Sequence, residues 1–228
     1  MDFAFSRAHE MLRNMVREYA EKEVAPKVES YSKDGDEFPY ETLKQCGKLG
    51  LLGLLVPKKY GGSEMGYLAR MITIEELSKV YAGLGANLRG WSLVPHLLTN
   101  AGTEEQKQKY LPALCRGEIQ GSIATTEATS GSDFGAWPVE VAKDGNDYII
   151  NCRKVMISRS TVSDVFGILV KGEKGYSTFL VEKGMPGVQT GHREKLISCT
   201  SRNSPTGDLV ITNCRVSKDY LVGQEGKG

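Results

Sequence analysis

Residues 102–133 read GTEEQKQKYLPALCRGEIQGSIATTEATSGSD, and a change of texture inside this stretch decides the fold. Its first half is a helix with its own start signal. Gly102 and Thr103 end one helix and begin the next. Thr103 and Gln106 have capping-box spacing, and Glu104 and Glu105 suit the positive end of a helix. From Gly117 the helical period stops. A β-rich run leads to Thr126, and a loop of small and hydroxyl-bearing residues follows. The boundary is therefore expected at residue 117, with a helical domain over 1–116 and a β-domain over 117–228.

Working back toward the N-terminus, helical spacing persists. Leu12, Met15, Val16, Tyr19 and Val24 recur on one face, and Pro26 stops or bends that element. Phe38-Pro39 opens a second helix. The stretch LGLLGLLVP then reads as a buried connection, and Gly61-Gly62 as a turn. A third helix is expected to turn Met71, Ile72, Leu77 and Val80 inward, with Glu75-Glu76 outward on at least one side. A fourth carries Leu88, Trp91, Val94, Leu97 and Leu98.

Working forward, short β-rich runs follow: PVEVA, DYIIN, VFGILV, STFLVE, GVQT and GDLVITN. Turns such as KDGND separate them. The pattern predicts an α+β chain, an N-terminal all-α domain followed by an antiparallel β-barrel or sandwich.

Composition excludes several classes. Lys+Arg 29 against Asp+Glu 28 gives a net charge of +1, so there is no basic field for nucleic acid. No apolar run reaches the roughly 20 residues of a membrane span, and the first residues lack a signal-peptide core. A cytoplasmic location, or the mitochondrial matrix in a eukaryote, is expected. The five cysteines, Cys46, Cys115, Cys152, Cys199 and Cys214, are widely spaced and odd in number, which predicts reduced, buried thiols. His9, His96 and His192 are scattered, which argues against a metal site. Trp91 and Trp137 are expected to be packing residues, and Glu127 to organise a loop rather than act as a base.

Two loops carry chemistry. GSIATTEATSGSD, residues 121–133, combines adjacent hydroxyls with small residues that let a ligand reach backbone N–H groups. NCRKVMISRS, residues 151–160, puts Met156, Ile157 and Ser158 at a strand end. An apolar side chain beside a hydroxyl suits a flat heterocycle. By composition alone, each loop also reads as an ordinary polar connection.

The order of segments resembles the acyl-CoA dehydrogenase family across the chain. EFPYETLKQCGKLGLLGLLVPKKYGG, EELSKV, GTEEQKQKYLPALCRGE, TEATSGSD, GNDYIINCRKVMIS, FLVEKGMPGV and LVGQEGKG occur in the family's order and spacing. The resemblance implies FAD as cofactor, with contacts from Ile123, Ala124, Thr125, Thr126, Gly131, Ser132, Met156, Ile157 and Ser158. Thr126 matches the hydroxyl that bonds the flavin's pyrimidine end, Ser132 the serine that meets the pantetheine portion of the substrate, and Met156-Ile157-Ser158 the Trp-Ile-Thr at the flavin face. The sequence departs from the family pattern at Met156 (usually Trp), Ser158 (Thr), Ala128 (Pro), Val139 (Thr), and Cys152 and Ile197 (both Gly).

The implied reaction is FAD-dependent α,β-dehydrogenation of an acyl-CoA, with electron-transfer flavoprotein as acceptor. The family's base sits in a C-terminal four-helix domain that also builds a homo-oligomer. That domain is expected to be absent here, so no catalytic residue is assigned and the chain alone is expected to be inactive. The alternatives are a same-fold oxidase, monooxygenase or desulfinase, or a non-catalytic acyl-CoA- or FAD-binding subunit completed by a second chain.

Overall fold

The computed structural model describes residues 4–33, 38–196 and 203–228. Ile197 and Cys199 lie outside the described residues.

The helical part begins with α1 (Arg7–Tyr19), which buries Leu12, Val16 and Tyr19 and is capped by the Ser6 hydroxyl. Its axis continues through one wide turn at Ala20–Val24 and a tight turn at Ala25–Lys27 before α2 (Val28–Lys33). Pro26 thus bends the element rather than ending it, because its ring forbids a regular helical bond. Then come α3 (Tyr40–Lys48) and α4 (Gly66–Val80).

The third predicted helix, α4, is rotated relative to expectation. Met71 is 53% exposed and Val80 only half-buried, whereas Glu76 is 3% exposed. Glu75 does face solvent. The reason is electrostatic. Glu76 points at α1, where Arg17 donates to both its oxygens at 2.9 and 3.1 Å. Lys79 adds a bond of 2.9 Å and Arg13 an ion pair of 3.4 Å. Counting apolar residues does not register a carboxylate that brings its own cations inward.

The predicted fourth helix is two helices, α5 (Ala82–Trp91) and α6 (Leu93–Ala101). Pro95 lacks the N–H that would bond Trp91, and Arg70 holds the break by donating to Ser92 Oγ at 2.7 Å and to the Arg89 carbonyl at 3.0 Å. Leu97 is half-buried. α7 (Glu104–Arg116) carries the full capping box between Thr103 and Gln106 and closes on Gly117 in the left-handed conformation.

Strands follow: β1 (Gly121–Ala124), β2 (Val141–Asp144), β3 (Asp147–Ile157), β4 (Val165–Gly172), β5 (Gly175–Glu182), β6 (Val188–Arg193), β7 (Gly207–Ser217) and β8 (Leu221–Val222). They form two four-stranded sheets, ordered β1-β4-β5-β8 and β2-β3-β7-β6. All pairings are antiparallel except β1 with β4. The PVEVA run is a strand only from Val141. At Glu140 the backbone serves both sheets, its N–H bonding Lys171 O and its carbonyl accepting from Asn151 N, each at 2.8 Å.

The inner faces of the sheets meet over Ile150, Phe166, Ile168, Phe179, Val181 and Leu209. The helices have their own core around Val16, Leu43, Leu77, Leu84 and Trp91. A third cluster joins the two, packing Val94, Leu98, Leu111 and Leu114 against Val165, Leu180 and Val222. Among the described residues no helix is long and apolar enough to cross a membrane. The described cysteines are free, and burial pushes the Cys46 thiol up to about 12.

Candidate functional site

β1 leads into the first loop, and β3 ends at the second. Two contacts hold the loops together. Val155 N–H donates to the Thr126 carbonyl at 2.9 Å, and Glu127 forms an ion pair with Lys154. Lys154 is fully buried and also bonds both oxygens of Glu140, at 3.0 and 2.9 Å. Its ammonium lies 4.3 Å from the centre of the Trp137 ring. Two buried carboxylates thus share one cation. Burial, then the neighbouring Glu127 carboxyl, pushes Glu140 up to about 7 against the pull of Lys154. Glu127 is therefore an anchor of the loop, and Trp137 a packing residue.

The end of β3 has an unusual backbone. Met156 and Arg159 both have positive φ, 57° and 62°. Side chains other than glycine pay roughly 1 kcal/mol or more for that conformation, which is commonest at functional loops. The two bends present Ile157 and Ser158 between them. Ser122 Oγ fixes this segment by donating to the Ser158 carbonyl at 2.7 Å.

The loops line one cleft of ≈ 330 Å³, together with Ala86, Arg89 and Gly90 of α5 and Leu93 at the start of α6. Six expected site residues meet there: Ile123, Thr125, Thr126, Met156, Ile157 and Ser158. Three do not line it. Ala124 is fully buried behind the loop, and Gly131 and Ser132 are exposed. Gly131 still borders the cleft, since a Cβ there would lie 4.0 Å from the Thr126 methyl. Met156, in place of the family's Trp, is 49% exposed. Ala128 and Val139 are exposed, and Cys152 is half-buried. A larger apolar groove of ≈ 610 Å³ runs along Tyr110, Ile119 and Glu182, but it shares no residue with these loops.

The cleft contains residues the sequence did not single out. Arg159 is 2% exposed and donates to the carbonyls of Asn87 at 2.9 Å and Gly121 at 2.8 Å. Its Nε, like Ser160 Oγ, is buried without a hydrogen-bond partner. Burial, then the nearby charge of Arg89, lowers its pKa to about 10. Gly90 makes room for this guanidinium, because a Cβ there would collide with Arg159 Nη1. Ser204 and Thr206 also line the cleft. A sequence signal existed for α5: the small residues Ala86 and Gly90 lie one turn apart beside Arg89. None existed for Arg159, which reads as a turn residue.

Chemically, the cleft offers hydroxyls from Thr125, Thr126 and Ser158, apolar surface from Ile123, Met156 and Ile157, and two cations. Among the described residues no carboxylate lines it. Its volume lies in the range of small-molecule sites. A flavin ring, with apolar faces and a polar edge that becomes electron-rich on reduction, fits this donor set. The unpartnered Arg159 Nε is an observation in favour, since a buried N–H normally finds an acceptor. Among the described residues, no cluster of three or more His, Cys, Asp or Glu side chains could hold a metal ion.

Comparison with known proteins follows the same lines. The family profile described as "Acyl-CoA dehydrogenase, N-terminal domain" matches residues 6–118, and "Acyl-CoA dehydrogenase, middle domain" matches residues 122–214. A short-chain-specific acyl-CoA dehydrogenase from Clostridium acetobutylicum is 39% identical over 234 residues, covering 100% of this chain and 61% of that protein. A structure described as electron transferring flavoprotein of Acidaminococcus fermentans contains a chain with TM-score 0.94 and 34% identity, over 100% of this chain and 61% of that one. An FAD complex of PigA aligns with TM-score 0.93 at 27% identity, again over 100% and 61%. The chain thus spans about three-fifths of the length of these relatives.

Proposed function

From the chain's membership of the acyl-CoA dehydrogenase family, we propose that it supplies the FAD-binding half-site of an enzyme that dehydrogenates an acyl-CoA thioester between its α and β carbons. The observation that carries this reading is the shared cleft, in which Thr126 and Ser158 come from different loops yet line one space. We place the division between the helical and β-rich domains at residue 117.

FAD, when bound, would supply the two-electron acceptor. Thr126 and Ser158 would offer hydroxyl donors to its polar edge, and Met156 and Ile157 would pack on its apolar surface. Gly131, lacking a side chain, leaves the backbone open beside Thr126. Arg159 keeps a fixed positive charge in a water-poor place, where it acts over a longer distance than in bulk solvent. Ser132 stands on the exposed limb of the loop, where it would meet the pantetheine portion of the substrate.

Removal of the α-proton is assigned to none of the cleft residues, because none among the described residues is a carboxylate. Glu127 is buried, held by Lys154, and does not line the cleft. An electron-transfer flavoprotein as acceptor, and assembly into a homo-oligomer, are the partners this reading implies. The chain on its own would bind FAD weakly and not turn over.

The test is FAD binding followed by flavin fluorescence and absorbance. Wild type should bind FAD, and Thr126→Val with Ser158→Ala should weaken binding by tenfold or more, about 1.4 kcal/mol. Equal affinity in wild type and the double variant would refute this cleft as the flavin site.

A further inference from the structure

The buried ions behind the two loops do not balance, and the imbalance falls on the loop that presents Thr125 and Thr126; its effect on a ligand rests on the flavin reading above. Glu127 and Glu140 are 8% and 4% exposed, and the one ammonium they share, that of Lys154, is fully buried. Two ionised carboxylates around one cation would leave a net negative charge in a medium of low dielectric, which is strongly unfavourable. The Glu127 carboxyl is also within hydrogen-bonding reach of the Glu140 carboxyl, and two carboxyl groups bond each other only through a proton. The other groups that face Glu140 do not pair with it by charge. Cys152 of β3 is a thiol that burial pushes up to about 12. Lys171 of β4 offers its backbone N–H at 3.3 Å, while its ammonium is turned to the carbonyls of Gly135 and Trp137. Charge balance therefore puts a proton on Glu140, in keeping with its rise to about 7.

When that proton leaves, one of the two carboxylates has to give way, and the backbone decides which. Glu140 is tied into both sheets, to Lys171 O and Asn151 N at 2.8 Å each. Its side chain holds Lys154 with two bonds, at 3.0 and 2.9 Å. Glu127 belongs to a loop. It has one isolated bridge to Lys154, and its N–H bonds Ser130 O within the same loop. An ionised Glu140 keeps Lys154, and Glu127 is driven away by like charge. Thr126 precedes Glu127 directly, and its carbonyl bond from Val155 N–H is the next fastening to be strained. The hydroxyls that line the cleft are thus set by a proton that never enters it.

We propose that Glu140 is a positioning residue for the cleft: with its carboxyl neutral, Lys154 fastens Glu127 and the first loop is closed for a flavin, and with its carboxyl ionised the loop is released.

The closed loop holds the proton, so closure is favoured in acid and lost as pH rises through about 7. The test uses the whole 228-residue chain at pH 6, 7 and 8. FAD binding is followed by flavin fluorescence, and hydrogen exchange of the Val155 amide is read by NMR without FAD. Wild type should bind FAD about tenfold more weakly at pH 8 than at pH 6. The protection of the Val155 amide, corrected for the intrinsic pH dependence of exchange, should fall over the same range. Glu140→Gln, neutral at every pH, should keep the pH 6 affinity and protection throughout. Glu127→Gln removes the group that is fastened, and should bind weakly at every pH. Wild-type affinity and protection that stay level from pH 6 to 8 would overturn the inference, as would a wild-type slope in Glu140→Gln. Should Glu140→Gln not fold, Glu127→Gln decides: loss of the slope supports the inference and a wild-type slope overturns it. If no chain binds FAD at any pH, the flavin reading fails and exchange alone judges the latch. A fall in wild type that is absent from Glu140→Gln would then still support it, and level protection would remove it.

Discussion

Replacing Glu76 by Gln should destabilise the chain by about 2 kcal/mol at neutral pH, and the loss should fade in acid. Hydrogen bonds from Arg17, outweighing the opposing effect of burial and joined by Lys79, hold the Glu76 carboxyl down to about 2 from the ordinary 4.5. At about 1.4 kcal/mol per pH unit, that depression corresponds to roughly 3 kcal/mol. The partners are more open than Glu76 itself. The Arg13 side chain is 35% exposed, Arg17 39% and Lys79 50%. Solvent screening of such pairs brings the figure to about 2 kcal/mol. In a chain of this size that is roughly 4–8 °C in Tm. The sign is fixed by the direction. A carboxyl with a depressed folded pKa stabilises above its unfolded value near 4.5, and that contribution is lost as pH falls toward about 2. Thermal melts of wild type and Glu76→Gln at pH 7, 5, 4 and 3 should show a gap that is constant down to about pH 5 and narrows below it. A gap as wide at pH 3 as at pH 7 would refute the ion-pair account, as would a difference under about 0.5 kcal/mol at pH 7.

Three further outcomes follow from the cleft and its supports. Lys154→Met leaves Glu127 and Glu140 buried without their shared cation, so the melting free energy should fall by about 3–5 kcal/mol and FAD affinity should fall with it; unchanged stability would mean the ion cluster is not what fastens the loop. Glu140 titrates high in the folded state, so folding takes up a proton between about 4.5 and about 7, and stability should decline as pH rises through that window. Glu140→Gln should flatten the decline, and a wild-type curve level from pH 5 to 8 would contradict it. Gly90→Ala should displace the Arg159 guanidinium and cost about 2–4 kcal/mol from its charged hydrogen bonds; a variant that melts with wild type would show that the guanidinium has room to move.

The parts of the fold legible in the sequence were those governed by local rules. The capping box at Thr103 and Gln106, the stop at Gly117 and the alternating runs all depend on neighbours a few residues apart. Glu76 and Lys154 were misjudged or unseen because their partners lie far away in the chain, at Arg17 and Glu140. The single parallel pair, β1 with β4, has no local signal either, since alternation does not encode strand direction. At the cleft, the two loops could be read because small and hydroxyl residues cluster in them. The helical wall was signalled only by the small Ala86 and Gly90 beside Arg89, which acquire meaning when α5 packs across β1.

The apolar cluster that joins Val94, Leu98, Leu111 and Leu114 to Val165, Leu180 and Val222 has a consequence for how a ligand comes and goes. The same seam is crossed by Arg159, whose guanidinium bonds a carbonyl on each side. Parting the halves would strip water-free surface and break charged bonds at once, so the chain has no easy hinge there. A ligand entering the cleft would then pass its exposed lining, Arg89, Leu93, Met156 and Ser158, with the two halves fixed in place.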